Sequence, residues 1–560
     1  MKSREIRQLW SGFREEKAPN TRKHAWAKPA SLIVNASDDP TTMFNTAGMQ
    51  QFVPYLVGKP HHLGKRLYNI QWCVRTNDIE EVGDVSHLTF FEMMWNRSLG
   101  DYFKTEAITW SWEFLTSTEY LDLDPKNIAV SVFAWDADAP RDEESAEIWK
   151  WVGVDPSRIA YLGKEDNRWW PAGKTWPCGP DTEIFYWIGE GEAPKVFDPE
   201  KDEEHWLEIR NNVFMAYYKD EKWQFSELEN KNVDTWMWFE RICMVVQWAK
   251  MKTEGKIEKL SDLSVYNIDI FQDILGAIAA KMHHEYPQII RTDLDVELAR
   301  SYRIVADHLS TAIFLIHEWL TPTNEWRGYV LRRILRRAYY HLMKLHPEGE
   351  DWFASKTIDS LLKKVFQALV SHYEELEHNK KQTIQVIYEE MKQFQSTLDK
   401  WSKKFEEMLS EQEGKKFSGA DAFVLYDTYG VPVELTQELV EQHDMLVDMQ
   451  WFQEAMQVAR ETSRAGGKQK FAKWTDWAVF IEGLAPTVFV WYDTLETDGI
   501  HILKDELVGD QRVVVLDRTP FYAESGGQKG DTGTLVCDDW TVLDITDVQK
   551  YGGVWLHMVG

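Results

Sequence analysis

The clearest pattern in the chain lies between Gln71 and Lys104. A short apolar run ending at Arg75 gives way to a polar, acidic loop from Thr76 to Asp84, then to a second apolar run from Leu88 to Met94. This alternation predicts two β-strands joined by a loop. Arg75 falls where the first strand meets the loop, so its planar five-donor fork can face a phosphate or a carboxylate. Phe90 and Phe91 point to opposite faces of the second strand, one into the core and one free to stack on a planar ring. An ordinary hairpin with a surface arginine fits the spacing equally well. Further along, Ala107 to Thr116 and Glu143 to Val152 read as helices, with a β-like run from Ile128 to Phe133 between them. The Pro- and Gly-rich stretch from Asn167 to Tyr186 reads as a loop.

From about Lys250 to Arg460 the period becomes helical. Within it, Arg327 to His346 carries six basic residues, Arg327, Arg332, Arg333, Arg336, Arg337 and Lys344, and no acid. Helical spacing sets Arg332, Arg333, Arg336 and Arg337 on one side, with Leu331, Ile334, Leu335 and Ala338 packing on the other. Lys356 to Lys416 alternates Lys and Glu around apolar residues, as bundle or coiled-coil helices do. Gly466 and Gly467 suggest a linker, and Val488 to Tyr492, Val513 to Leu516 and Thr541 to Val548 read as short strands.

Composition narrows the class. A chain of 560 residues, 44% hydrophobic and 28% charged, is too long for one core and suggests about three or four globular domains. No apolar run approaches the roughly 18 residues of a membrane span, and the charged first twenty residues do not resemble a signal peptide, so a cytosolic protein without a membrane partner is expected. Cys73, Cys178, Cys243 and Cys537 are scattered without a Cys-x-x-Cys pair, which argues against a disulfide framework or a zinc cluster. A net charge of −28 argues against indiscriminate nucleic-acid binding and predicts no DNA partner; any RNA contact needs a local basic patch. The Arg332 to Arg337 face is the candidate for that patch, with a solvated helix face as the plain alternative.

The words NDIEEVGD, TFFEM and GDYFK, in this order, resemble the second signature motif of class II alanyl-tRNA synthetases. The resemblance continues through DPTTMFNTAGMQQF, CGPDTEIFYW, NNVFMAYY, NVDTWMWFER, RGYVLRRILRRA, LYDTYGVP and FYAESGGQKGDTG, and so spans nearly the whole chain. It implies an α+β fold: a class II catalytic domain over 1–250, an antiparallel sheet flanked by helices; a helical tRNA-recognition domain over 251–462; a linker over 463–480; and the β-rich start of an editing domain over 481–560. The family's editing zinc site and oligomerisation domain are expected beyond Gly560, with no metal site in the part at hand.

The resemblance also implies a ligase that activates alanine with ATP and Mg2+ and passes it to the 3′ end of tRNA(Ala). By position, Arg75 and Arg241 hold the phosphates, Phe91 lies under the adenine, and Asp234 takes the α-ammonium. Trp169, Asn211 and Val213 line the pocket, and Asn324 and Asp427 read the G:U pair of the acceptor stem. Arg332, Arg333, Arg336 and Arg337 belong to the tRNA-recognition helix. Without the resemblance, Asp234, Asn211, Asn324 and Asp427 read only as turn residues, and Arg241 as a surface charge. Two departures stand out: the loop after Arg75 is shorter than in many family members, and NVDTWMWFER is altered. The altered motif leaves a catalytically inactive tRNA-binding paralogue as the competing expectation.

The alteration has a pattern. The chain has 28 Trp and only 31 Gly, against roughly 39 glycines expected at average usage. Trp stands where the family has Gly at Trp95, Trp176, Trp236, Trp238, Trp248, Trp326 and Trp491, and also at Trp170, Trp319 and Trp401. Conversely, Arg97, Arg168 and Arg210 stand where the family often has an aromatic. Translation with the wrong genetic code would produce this pattern, as would, in part, a decayed paralogue.

Overall fold

The structure is a computed structural model. It describes all residues except 17–21, 35–41, 77–78, 136–139, 164–175, 200, 203–204, 221–223, 254–263, 283–284, 288–289, 291, 325, 347–351, 413, 442, 457–483, 485–486, 491–496, 509–510, 522, 524–530, 538, 540 and 552–553. The chain forms two compact units, Met1–Asp399 and Lys400–Gly560. The boundary expected at 250 falls inside the first unit, and the whole 463–480 linker lies outside the described residues.

The first unit is built on a nine-stranded sheet. Its strands are β1 (Ala25–Trp26), β2 (Arg66–Val74), β3 (Phe90–Ser98), β4 (Ile128–Phe133), β5 (Ile159–Leu162), β6 (Trp176–Cys178), β7 (Asp181–Trp187), β8 (Trp206–Lys219) and β9 (Phe225–Trp238). They are ordered β1-β2-β3-β9-β8-β7-β4-β5, with β6 pairing on β8. The expected antiparallel sheet is in fact mixed: the run from β2 to β4 is antiparallel, whereas β1 pairs with β2 and β5 with β4 in parallel at the edges. The two edge strands are reached through long connections rather than tight hairpins, which is what parallel neighbours require.

The strand–loop–strand expected from Gln71 to Lys104 is β2 and β3, in register from Arg66 opposite Ser98 to Val74 opposite Phe90. Every residue of β3 is buried. Period-two alternation then decides what each face meets. On one face Phe90 stacks at 3.8 Å and 7° on Phe314 of the helix Asp293–His317. That helix starts with Thr292, whose hydroxyl caps the Asp295 amide while Asp295 caps back, and most of its length is buried. The opposite face of β3, which carries Phe91, Met93, Trp95 and Arg97, forms the candidate site.

The helices expected near Ala107 and Glu143 are Lys104–Thr116 and Glu143–Val152, the latter closed by Gly153 in the left-handed conformation. In the second unit, the helices Gly419–Tyr429 and Val433–Glu441 precede a five-stranded antiparallel sheet. Its order is Ile502–Val508, Gln511–Leu516, Val554–Val559, Val542–Tyr551, Gly533–Val536. No described helix is long and apolar enough to cross a membrane.

Candidate active site

Three rungs of the sheet define the site. Met93 faces Trp238; Trp95 faces Trp236, which faces Asn211; Arg97 faces Asp234, which faces Val213 and then Asp181. Because all these positions share one parity, their side chains rise from one face of β3, β9, β8 and β7. Phe91 lies two residues before Met93 on the same face. Arg75, just past the end of β2, continues the parity of Cys73, the partner of Phe91.

Phe91 is fully buried and stacks on the Trp238 indole, with ring centroids 4.2 Å apart and planes 16° apart. The Arg241 guanidinium covers the other side of that indole at 4.2 Å from its centroid. Arg241 sits in the first turn of the helix Phe239–Thr253 and donates to the Glu208 carbonyl at 3.2 Å. Arg75 flanks the stack at 5.2 Å from both the Phe91 and Trp238 rings, and its Nε donates to the Thr46 carbonyl at 3.3 Å. A planar aromatic group is therefore held between a phenyl ring and a guanidinium, with a second guanidinium at its edge. This slot has the shape and chemistry for a purine bearing phosphates.

Asp234 is buried, and burial pushes its carboxyl above the usual range despite the opposing charge of Arg97. Arg97 Nε lies 2.8 Å from its carboxylate, and Arg97 also donates to the Gly48 carbonyl at 2.8 Å. The carboxylate expected to meet an ammonium is thus already paired inside the protein. Asn211 donates to Asp181 at 2.9 Å and to Glu183 at 3.1 Å, and Val213 lines the same face beside Asp234. Trp169 lies outside the described residues. Sequence reasoning missed Arg97, Thr46 and Gly48 as pocket-forming positions. The last two act through backbone carbonyls, which leave no mark on residue type.

The basic helix face is corrected. Arg336 and Arg337 of the helix Trp326–Leu345 are buried, not turned to solvent. Arg336 Nε donates to Glu390 at 2.9 Å. Arg337 donates to the Ile79 carbonyl at 2.7 Å and to Val82 at 3.4 Å, gripping the loop that follows Arg75. The half-buried Arg332 lies 3.2 Å from Glu390, and Arg333 donates to the Thr76 carbonyl at 3.4 Å. The local sequence lacks acids, but a distant acid and loop carbonyls supply the partners. Asn324 is exposed and accepts from Arg332. Asp427 is exposed on the helix Gly419–Tyr429 of the second unit.

Among the described residues, one group of His, Cys, Asp and Glu converges closely enough for an ion: Glu81, Asp84 and His87. His87 Nδ1 is hydrogen-bonded to Asp84 at 2.5 Å, and that carboxylate also accepts from the Ser86 and His87 amides. These bonds make it a self-satisfied turn.

The family model described as tRNA synthetases class II (A) matches residues 5–560. The chain is 42% identical to an alanine–tRNA ligase of Treponema denticola over 453 residues, 80% of this chain and 71% of that protein. It is 37% identical to one of Pseudomonas entomophila over 583 aligned positions and 38% identical to one of Thermotoga maritima over 575, each covering 100% of this chain and 61% of the relative. The chain thus spans about three fifths of the length of the curated relatives that it matches from end to end.

Proposed function

Because the chain belongs to the class II alanyl-tRNA synthetases, we propose that it activates alanine with ATP and transfers it to the 3′ end of tRNA(Ala). The alanine carboxylate attacks the α-phosphate of ATP, supplied as its magnesium complex. Pyrophosphate leaves and alanyl-adenylate forms. The 3′-terminal hydroxyl of the tRNA then attacks the acyl carbon and AMP leaves. Neither step needs a covalent enzyme intermediate, so positioning and charge stabilisation supply the rate.

The observation that carries this reading is the slot between Phe91 and Arg241, which holds one planar ring with Arg75 at its edge. In this assignment the adenine takes the place of that ring, Arg75 meets the α-phosphate and the alanine carboxylate, and Arg241 meets the distal phosphate. Asp234, with Asn211 and Val213 beside it, receives the ammonium. Asn324 and Asp427 contact the acceptor stem. Alanine-dependent ATP–pyrophosphate exchange by protein purified from its own source is the test. Alanine should support exchange better than glycine or serine, and absence of exchange would overturn the assignment.

One observation favours a second reading, a tRNA-binding paralogue without catalysis: as written, the slot is filled by Trp238 and the carboxylate is neutralised by Arg97. Binding of tRNA(Ala) without alanine-dependent exchange would select it.

A further inference from the structure

Five non-glycine residues among those described have positive φ: Asp122, Trp319, Trp326, Lys356 and Asp444. Two are tryptophans, and both are among the positions where the resemblance implies glycine. Trp319 has φ +66° just after the helix Asp293–His317 and its cap residue Glu318. Its amide donates to the Ile316 carbonyl at 2.9 Å, and the Leu320 amide donates to Leu315 at 3.1 Å. These two bonds are the Schellman closure, whose left-handed position is normally glycine because a Cβ there meets the adjoining carbonyl. The Trp319 side chain gains nothing in return, being 68% exposed. Trp326, at φ +53° and 70% exposed, opens the next helix under the same strain.

A different symptom appears at the sheet. Trp95 and Trp236 face each other across β3 and β9, and Trp238 fills the ligand slot. Trp95 is pressed against the Gly48 backbone so closely that a Cβ on Gly48 would sit 2.2 Å from its ring. Strained backbone at helix ends and crowded rings in a pocket have no common structural cause. They do have a common remedy, the loss of the side chain.

We propose that one codon rendered here as tryptophan is read as glycine in the cell that makes this protein, so that residues 95, 236, 238, 319 and 326 are glycines there. The evidence at 319 and 326 is independent of the proposed activity; that at 95, 236 and 238 rests on it. With glycine at 238, the gap between Phe91 and Arg241 becomes the free adenine slot.

A separate observation carries a second substitution. Arg210 is fully buried and donates to Ser111 Oγ at 2.9 Å, Met237 Sδ at 3.0 Å and Asn96 Oδ1 at 3.0 Å. Arg14, also buried, donates to the same Asn96 oxygen at 2.7 Å. Among the described residues neither guanidinium makes an ion pair with a carboxylate; two like charges lie out of water with only neutral acceptors and the Trp10 ring against them. Arg97 is buried, its guanidinium 4.6 Å from the Phe52 ring centroid and 4.2 Å from that of Trp95, and it occupies Asp234. We infer that a second codon, rendered here as arginine, is read as an aromatic residue at 97 and 210. That reading removes a buried charge at 210 and frees the Asp234 carboxylate.

Peptide mass spectrometry of the protein purified from its own source tests both inferences without reference to activity or folding. The expected peptides carry glycine at 95, 236, 238, 319 and 326, an aromatic at 97 and 210, and tryptophan at Trp10, Trp149 and Trp206. In the gene, the five glycine sites should share one codon that those three tryptophans do not use. Tryptophan at 319 and 326, or the same codon at suspect and ordinary sites, overturns the first inference. Glycine at 319 and 326 with tryptophan at 238 overturns the single-codon claim, and arginine at 97 and 210 overturns the second inference. If the masses are as expected but the native protein lacks exchange, the recoding stands and the activity assignment falls.

Discussion

The pocket face of β3 and β9 and the Trp326–Leu345 helix both present clustered arginines, yet the two clusters end differently. At the pocket, Arg75 and Arg241 flank the Trp238 ring, Arg75 anchored on the Thr46 carbonyl and Arg241 on the carbonyl and carboxylate of Glu208. On the helix, Arg336 and Arg337 are consumed by Glu390 and by the carbonyls of Ile79 and Val82. A guanidinium has five donors. Where most are spent internally the residue is architectural, and where a planar slot remains beside it the residue can serve a ligand. The helix nevertheless contributes to the site at one remove, since Arg337 and Arg333 fix the loop that leaves Arg75.

The largest expected effect sharpens this contrast at the pocket. In the protein as its own cell makes it, Arg75→Ala should lower alanine-dependent exchange by about a hundredfold or more, the usual cost of one lost charge-assisted contact in a transition state. Asp234→Asn should act mainly on alanine, raising its KM with less effect on that of ATP. Exchange kinetics unchanged by Arg75→Ala would place the arginine outside the chemistry.

The same contrast predicts a different outcome on the helix. Arg337→Ala strips partners from the Ile79 and Val82 carbonyls and should lower stability by about 2 kcal/mol, read as a shift of the denaturant midpoint. Arg336→Ala leaves Glu390 to Arg332 alone, with an effect of similar size. Neither should flatten the salt dependence of tRNA binding by much. An unchanged midpoint with a flattened salt slope would restore an RNA-facing role for this face.

Exposed positions should give smaller, selective effects. Asn324→Ala and Asp427→Ala are expected to lower aminoacylation of tRNA(Ala) carrying the wobble pair by about tenfold, the scale of one lost recognition contact. Adenylate formation should be spared. Equal charging of wobble-pair and Watson–Crick acceptor stems by the unaltered protein would sink this assignment.

Elements whose identity follows from local period were legible in the sequence. β2, β3, β4 and the helices Lys104–Thr116 and Glu143–Val152 lie where apolar spacing put them. Side-chain direction was legible too, because Phe90 and Phe91 must oppose each other; what was not legible is that both are buried, one under Phe314 and one under Trp238. The parallel edges β1 and β5 depend on pairing between segments far apart in sequence. The fate of Arg336 was hidden for the same reason, as its partner Glu390 is 54 residues away. Asp234 shares the sheet face of Phe91, but its pairing with Arg97 depends on cross-strand register, which residue types alone do not fix.

The smallest effect concerns the loop between the two compared regions, where His87 meets Asp84. The hydrogen bond to Asp84 raises the His87 pKa, with Glu81 adding to the rise and burial and Arg241 opposing it. The Asp84 carboxyl is held below its usual range by His87 and by two amides, against the effect of burial. A raised histidine pKa stabilises the fold fully below the unfolded value and loses that contribution as pH rises through the folded value. A lowered aspartate pKa stabilises above the unfolded value and is lost as pH falls through the folded one. The pair therefore contributes most in mildly acidic solution, above the range where Asp84 protonates and below that where His87 gives up its proton. Both side chains are about a third exposed, so solvent screening keeps the contribution below about 1 kcal/mol. His87→Gln should narrow the stability difference from the unaltered protein as pH rises from mildly acidic to alkaline, and high salt should shrink the acidic part of that difference. A difference that grows with pH would mean that His87 is held neutral, and that the loop is fixed by Arg303, Arg333 and Arg337 instead.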